Sequence, residues 1–188
     1  RVGSPALEAA PAPRAAPPAQ LAYVVFTSGT TAQPKAVGLE RGQLAAQLHW
    51  LESFFAEAPA MRHTFLVSPS VDVAVHQTFA PLIRGDALCF APADAALAPQ
   101  VLLDFVREQR IDVVDSVPSL LDHVLTATSA ERPLRCRYLC FGGDTLTPEL
   151  WARVTERAQV ERIINYTAPT ETCLNATALD APATARFT

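Results

Sequence analysis

The residues best suited to binding or catalysis lie in a polar turn at 27–36, which reads TSGTTAQPKA. The turn follows a short apolar run, Leu21–Thr27, and carries four hydroxyl side chains and the only lysine of the sequence, Lys35. Hydroxyl and backbone amide donors can surround phosphate oxygens, and a lysine ammonium adds a compact positive charge. The spacing G-x-x-x-x-G-K-[ST] of a Walker A loop is absent. The residues themselves therefore leave two interpretations open, a phosphate-binding loop or an ordinary polar turn.

Apolar runs and helical spacing predict an alternation of strands and helices after residue 20. The predicted strands lie at 21–27, 64–68, 86–90, 112–116, 137–141 and 162–166, and the predicted helices at 40–56, 73–83, 99–109, 118–126 and 147–157. This alternation predicts an α/β fold: a parallel sheet with helices on both faces. In such sheets ligands bind at the carboxyl ends of strands, so the polar turns there are the candidate sites.

Composition excludes several classes of protein. The chain has 188 residues, of which 49% are hydrophobic and 18% charged, so we expect a packed core in one domain or a large piece of one. A net charge of −4 argues against nucleic-acid binding. No apolar run approaches the roughly 18 residues of a membrane helix, and no signal peptide is visible, so a cytoplasmic chain without membrane partners is expected.

The N-terminal segment and the cysteines give less information about function. Residues 1–20 contain seven alanines and five prolines and are interpreted as a linker, which leaves 21–188 as the domain. None of the four cysteines has C-x-x-C spacing, so zinc is not predicted and buried free thiols are expected.

Four segments, in order, resemble the amino-acid adenylation domains of nonribosomal peptide synthetases. The phosphate-loop signature of adenylate-forming enzymes, L-A-Y-x-x-Y-T-S-G-[ST]-T-G-x-P-K-G-V, is similar to residues 21–37, LAYVVFTSGTTAQPKAV. The other three are SPSVDVAVHQTFAPLIRGDALCF, IDVVDSVPSLLDHVL, and YLCFGGDTLTPELW followed by INYTAPTET. The resemblance spans residues 21–177 and implies part of the large lobe of the adenylate-forming fold.

In that family an amino acid and ATP form aminoacyl-AMP and pyrophosphate, and a carrier-protein thiol then receives the aminoacyl group. The resemblance thus implies ATP and Mg²⁺ as cofactors and neighbouring synthetase domains as partners. It places around ATP Thr27, Ser28, Gly29, Thr30, Thr31, Lys35, Gly142 and Gly143 (near the adenine), Thr170 (at the α-phosphate) and Glu171 (holding Mg²⁺). It places Asp72 opposite the substrate ammonium, and around the substrate side chain Val73, His76, Asp115, Cys140, Gly142, Tyr166, Leu174 and Asn175.

Simpler roles compete with several of these assignments. Asp72 precedes a predicted helix and could be its N-cap, and the two roles are compatible. His76 could be an ordinary packed histidine, Asp115 a solvated strand end and Glu171 a surface carboxylate. Carboxylate oxygen is nevertheless the ligand that Mg²⁺ prefers.

The sequence departs from the family pattern at chemical positions. Alanine replaces the loop glycines at Ala32 and Ala36. Its Cβ restricts the conformations of the backbone and hinders close approach of the backbone to phosphate. Thr167 and Ala168 replace a Tyr-Gly pair whose tyrosine stacks on adenine in the family. The family's ribose aspartate and the lysine of its small lobe would lie beyond Thr188, so no catalytic residue is assigned in this chain.

Two functions follow as hypotheses. We expect a truncated, impaired adenylation domain that serves as a structural platform in a synthetase. The alternative is a section of a working adenylation domain. A plain α/β nucleotide-binding domain with chance similarities is the third interpretation, which four ordered matches disfavour.

Overall fold

A computed structural model describes residues 16–27, 33–167, 169–173 and 176–184. The strands are β1 (Leu21–Thr27), β2 (Lys35–Glu40), β3 (Arg62–Phe65), β4 (Ala87–Phe90), β5 (Val113–Ser116), β6 (Leu134–Arg135), β7 (Tyr138–Gly142), β8 (Ala158–Gln159), β9 (Arg162–Thr167) and β10 (Thr177–Pro182). The helices are α1 (Arg41–Ser53), α2 (Val73–Arg84), α3 (Pro99–Glu108), α4 (Pro118–Thr126) and α5 (Pro148–Arg157), and Thr170–Thr172 form a 3₁₀ turn.

The central sheet has six strands in the order β10-β9-β7-β5-β3-β4. Its strands are parallel except β10, which pairs antiparallel with β9 at one edge. Successive residues of a strand point to opposite faces. Leu139 and Ile163 accordingly pack with α3, α4 and α5, whereas Cys140 and Ile164 pack with α1 and α2. The α/β fold with helices on both faces is therefore confirmed.

Strands β1, β2 and β10 differ from the sequence prediction. β1 is outside the central sheet: it pairs antiparallel with β2 in a separate ribbon, and its Leu21, Val24 and Phe26 are exposed. The apolar run that predicted a buried strand is thus half-exposed. β2 begins at Lys35, inside the segment interpreted as a turn, and β10 was not predicted because its sequence, TALDAP, has few β-branched residues.

Local sequence signals explain where the helices begin and end. The Thr147 side chain accepts a hydrogen bond from the Leu150 N–H at 3.2 Å, and Pro148 opens the first turn of α5, as predicted. α2 ends at Gly85, whose φ of 77° is the left-handed conformation that glycine adopts without strain. Among the described residues, no helix is both long and apolar enough to cross a membrane.

A buried carboxylate connects β3, α2 and the start of β4. The Asp86 side chain is fully buried; it accepts a hydrogen bond from the Met61 N–H at 3.0 Å and one from the Arg84 Nε at 2.9 Å, and it lies 2.9 Å from the His63 Nε2. Arg84 also donates to the Phe55 carbonyl oxygen. Burial alone would raise the pKa of Asp86, but its hydrogen bonds from Met61, Arg84 and His63 together hold that pKa below its usual range.

Replacing this carboxylate should destabilise the fold strongly. We expect Asp86→Ala to lower the free energy of unfolding by about 3 kcal/mol or more, because the Arg84 guanidinium and the Met61 N–H lose a buried partner. Urea denaturation of the chain measures the change. Asp94→Ala, at an exposed aspartate, is the matched control and should stay within about 0.5 kcal/mol of the parent. Equal effects of the two variants would contradict this account of Asp86.

Candidate functional site

The carboxyl ends of three neighbouring strands place the candidate residues side by side. In the parallel register Asp115 of β5 lies opposite Cys140 of β7, and Gly142 of β7 lies opposite Tyr166 of β9. Helix α2 crosses the same region, and its His76 is buried there. Four residues predicted to surround the substrate side chain, His76, Asp115, Cys140 and Tyr166, therefore line one cavity of about 10 Å³.

Asp115 and His76 form a buried pair between the sheet and α2. Their side chains lie 3.4 Å apart, from the His76 Nε2 to an Asp115 carboxyl oxygen. Burial raises the pKa of Asp115 to about 7 and lowers the pKa of His76 to about 4. Between these values both groups are neutral, so the contact is not an ion pair there. The interpretation of Asp115 as a solvated strand end is wrong.

Gln77 holds this pair in place and was missed by sequence reasoning. Its Nε2 donates to the Asp115 carbonyl oxygen at 3.0 Å, and its Oε1 accepts from the Leu66 N–H at 3.0 Å. Thr64 adds a hydrogen bond from the Asp115 N–H to its hydroxyl, also at 3.0 Å. The available signal was a glutamine within the apolar pattern of α2, since a buried amide must satisfy its hydrogen bonds.

The capping role that the sequence allowed for Asp72 is confirmed, whereas its pairing with a substrate ammonium stays a prediction. Its Oδ1 accepts a hydrogen bond from the Val73 N–H at 2.8 Å, at the N-terminus of α2. Its Oδ2 is buried and has no hydrogen-bond partner among the described residues. The carboxylate also helps raise the pKa values of Tyr23 and Cys173, after the larger effect of burial. An unpaired buried carboxylate oxygen is costly, and it fits a site that takes a polar or cationic ligand group.

Lys35 and Glu171 approach each other from distant parts of the chain. Lys35 opens β2, Glu171 lies in the 3₁₀ turn, and their Nζ and Oε1 atoms are 3.3 Å apart. Both side chains are more than half exposed, at 63% and 54%. The Glu171 backbone N–H and, next, the Lys35 ammonium hold the pKa of Glu171 below its usual range. An exposed pair of this kind adds little stability, so both charges are available to a ligand.

A larger open cavity of about 680 Å³ lies beside the ends of β7 and β9. Its lining residues are Gly143, Asp144, Thr145, Leu146, Asn165, Tyr166, Thr167, Pro169 and Leu179. Gly143 has a φ of 84°, a conformation for which glycine is suited. Gly142 does not line this cavity. A side chain at position 142 would place its Cβ 2.8 Å from the Tyr166 carbonyl oxygen, so Gly142 permits close packing of β7 and β9.

The remaining predicted residues have the following places. Thr27 ends β1 opposite Lys35, Val73 opens α2, and Thr170 opens the 3₁₀ turn. Ser28, Gly29, Thr30, Thr31, Leu174 and Asn175 lie outside the described residues, as do Ala32 and Ala168. Ala36 lies in extended backbone opposite Phe26. Ala36 does not adopt the positive φ that glycine tolerates best, so alanine causes no backbone strain at this position.

Comparison with known proteins identifies the family. The family described as "AMP-binding enzyme" matches residues 2–187. This chain belongs to the AMP-binding enzymes. It is 32% identical over 163 residues to bacitracin synthase 1 of Bacillus licheniformis, which covers 85% of this chain and 3% of that protein. It is 30% identical over 158 residues to an L-proline–[L-prolyl-carrier protein] ligase of Pseudomonas fluorescens, with 82% and 32% covered.

Solved structures of AMP-binding enzymes share the fold. The Vibrio cholerae adenylation domain AlmE, in complex with glycyl-adenosine-5′-phosphate, superposes with a TM-score of 0.78 at 26% identity, over 89% of this chain and 32% of that one. The nonribosomal peptide synthetase FmoA3 with AMPPNP bound gives a TM-score of 0.76 at 28% identity, over 89% and 18%. The chain thus spans a third or less of each of these relatives and corresponds to part of the large N-terminal lobe of an adenylation domain.

The raised pKa of Asp115 predicts a pH-dependent stability. As pH rises from about 4 to about 7, the unfolded carboxyl ionises while the folded one stays protonated, so Asp115 progressively destabilises the fold. An asparagine side chain cannot ionise, so the advantage of Asp115→Asn over the parent should grow by roughly 2–4 kcal/mol across that window and level off above it. Urea denaturation of both proteins at several pH values measures the difference.

Asp94→Asn is the matched control for the charge change, since Asp94 is exposed. An advantage of Asp115→Asn that is constant from low to neutral pH would contradict the neutral state of the buried carboxyl.

Proposed function

We propose that this chain supplies the face of an adenylation domain that binds ATP and the amino acid, and that the complete polypeptide joins them as aminoacyl-AMP. The observation that carries the proposal is the approach of Lys35 and Glu171 to 3.3 Å at the carboxyl-end edge of the sheet. Membership of the AMP-binding family supports it, and one of the similar structures contains an ATP analogue.

Lys35 and Glu171 suit a metal-bound triphosphate. The Lys35 ammonium would balance phosphate charge, and Glu171 would offer a carboxylate oxygen to Mg²⁺, which typically binds one or two protein carboxylates together with substrate phosphates. Mg²⁺ supplies neutralisation of the phosphate charge when bound. Among the described residues no three acidic, histidine or cysteine side chains form a metal cluster, so the phosphates would have to complete the coordination.

Asp72 suits the amino-acid ammonium. Its buried, unpaired Oδ2 is a free hydrogen-bond acceptor among the described residues, whereas Oδ1 already caps α2. Pairing with an ammonium would satisfy that oxygen and orient the substrate carboxylate for attack on the α-phosphate. The aminoacyl group would then pass to a carrier-protein thiol on a neighbouring domain, as the resemblance implies.

A structural platform is the second candidate, and Thr167 is the observation that favours it. Thr167 lines the 680 Å³ cavity where the family pattern has an aromatic residue. Loss of one stacking partner weakens nucleotide binding by about 0.5–1.5 kcal/mol, or up to about tenfold in Kd. That loss impairs binding without abolishing it, so we favour a working site.

Removing either charge of the pair should weaken binding of Mg-ATP. We expect Lys35→Met and Glu171→Gln each to raise the Kd for ATP by about 10- to 100-fold, the effect of losing a charged hydrogen bond. The Glu171→Gln effect should vanish when ATP is titrated without Mg²⁺, whereas the Lys35→Met effect should remain. Isothermal titration calorimetry of the complete polypeptide measures both.

Two exposed residues at the opposite end of the strands provide controls. Arg135→Met and Glu108→Gln make the same charge changes away from the site and should leave ATP binding unchanged. If all four variants bind ATP equally well, the proposed nucleotide site is wrong.

Asp72 separates the working site from the platform. We expect Asp72→Ala and Asp72→Ser both to abolish amino-acid-dependent pyrophosphate exchange by the complete polypeptide, because an unpaired substrate ammonium costs about 2–5 kcal/mol. Asp72→Ala should be about 1 kcal/mol less stable than Asp72→Ser, since both lose the buried unpaired oxygen but serine keeps a capping oxygen. Thermal melts give the second readout. Exchange that persists in Asp72→Ser, or that is absent from the parent for every amino acid, rules out the proposed role of Asp72.

A further inference from the structure

We propose that the amino-acid pocket of this chain admits only small side chains, so that its substrate is an amino acid of the size of glycine, alanine or serine. The inference rests on the proposed function and adds to it the size class of the substrate. It is carried by the way in which His76, Asp115 and Tyr166 fill the space between α2 and the sheet.

His76 stands in the path of a substrate side chain. It follows Asp72 by four residues on α2, and residues at this spacing share one face of a helix. A substrate held through its ammonium by Asp72 would therefore extend its side chain along the face that His76 occupies. The His76 ring meets the Tyr166 ring edge to face, with centroids 5.4 Å apart, and both residues are buried.

The Tyr166 backbone packs closely against the neighbouring strand, and its ring packs against aromatic residues at the end of α1. A Cβ at Gly142 would lie 2.8 Å from the Tyr166 carbonyl oxygen and 3.0 Å from its Cβ, so the two strands are already in close contact. The rings of Trp50 and Phe54 also pack against the Tyr166 ring, at centroid distances of 6.5 and 6.4 Å from it. The Tyr166 ring is therefore packed among the rings of Trp50, Phe54 and His76.

Asp115 closes the third side of the pocket. Its carboxyl group lies 3.4 Å from the His76 ring, and its backbone is held by Gln77 and Thr64 at 3.0 Å each. These hydrogen bonds fix the Asp115 backbone, and burial encloses its carboxyl group beside His76.

The space that remains suits a single non-hydrogen atom. The cavity that His76, Asp115 and Tyr166 line, together with core residues of the sheet and α2, measures about 10 Å³, close to the minimum that one water needs. The Tyr166 hydroxyl is buried and has no hydrogen-bond partner of normal geometry among the described residues. Burial is the main cause that raises the pKa of Tyr166, and the nearby Cys140 thiol adds to it. A water or a serine hydroxyl could pair with it, whereas a large apolar side chain would clash and leave it unpaired.

Binding of stable adenylate analogues tests the size limit without requiring turnover. The probes are 5′-O-(aminoacyl)sulfamoyladenosines of glycine, alanine, serine, leucine and phenylalanine, titrated into the complete polypeptide by calorimetry, with sulfamoyladenosine alone as the nucleotide reference. We expect the three small analogues to bind about tenfold or more tightly than the two large ones.

A cavity-forming variant reverses the preference if the account is correct. His76→Ala should improve binding of the leucyl analogue relative to the glycyl analogue by about tenfold or more, because it removes the ring that fills the pocket. Phe79→Ala, at a half-exposed residue of the same helix, is the matched control and should not change the ratio. If His76→Ala does not fold, the panel on the parent protein alone decides.

The outcomes separate the two proposals. Equal or tighter binding of the leucyl or phenylalanyl analogue by the parent overturns the size limit and leaves the adenylation function standing. If every aminoacyl analogue binds no better than sulfamoyladenosine, the amino-acid site itself is wrong and the size limit falls with it. Preference for small analogues that His76→Ala abolishes supports both.

Discussion

Parallel pairing of β5, β7 and β9 is the constraint on which the candidate site depends. The register sets Asp115 beside Cys140 and Gly142 beside Tyr166, so residues up to about 50 positions apart in the chain meet at one edge of the sheet. Alternation along the same strands sends the neighbouring residues into the apolar core under α3, α4 and α5. A shift of one residue in β7 would exchange these two sets, which ties the site to the packing of the core.

Burial divides the ionisable groups of the site into two kinds. Asp115 and His76 are enclosed, and desolvation moves each pKa toward the neutral form, so that the pair behaves as a polar wall rather than an ion pair. The side chains of Lys35 and Glu171 are more than half exposed, which suits contact with a charged ligand. Asp72 lies between these extremes, with one oxygen in a helix cap and the other buried without a partner among the described residues.

The departures from the family pattern differ in their physical meaning. Ala36 lies in an extended strand, where alanine is unstrained, so backbone strain at this position does not argue against function. Thr167 does remove an aromatic face from the wall of the open cavity. Each altered motif position therefore has to be judged by the conformation or contact it would supply, and among the described residues Ala36 and Thr167 give opposite answers.

Several features of this protein were determined by its sequence alone. Periodicity and capping residues predicted the five helices to within a few residues, as at Thr147 and Pro148, because these signals act between near neighbours. Ordered motifs identified the family. The tertiary structure alone decided that β1 leaves the central sheet, that Gln77 anchors Asp115, and that the buried rings of Tyr166 and His76 meet edge to face. These features depend on which distant residues share one enclosed space, and burial and desolvation arise only when the chain has folded around them.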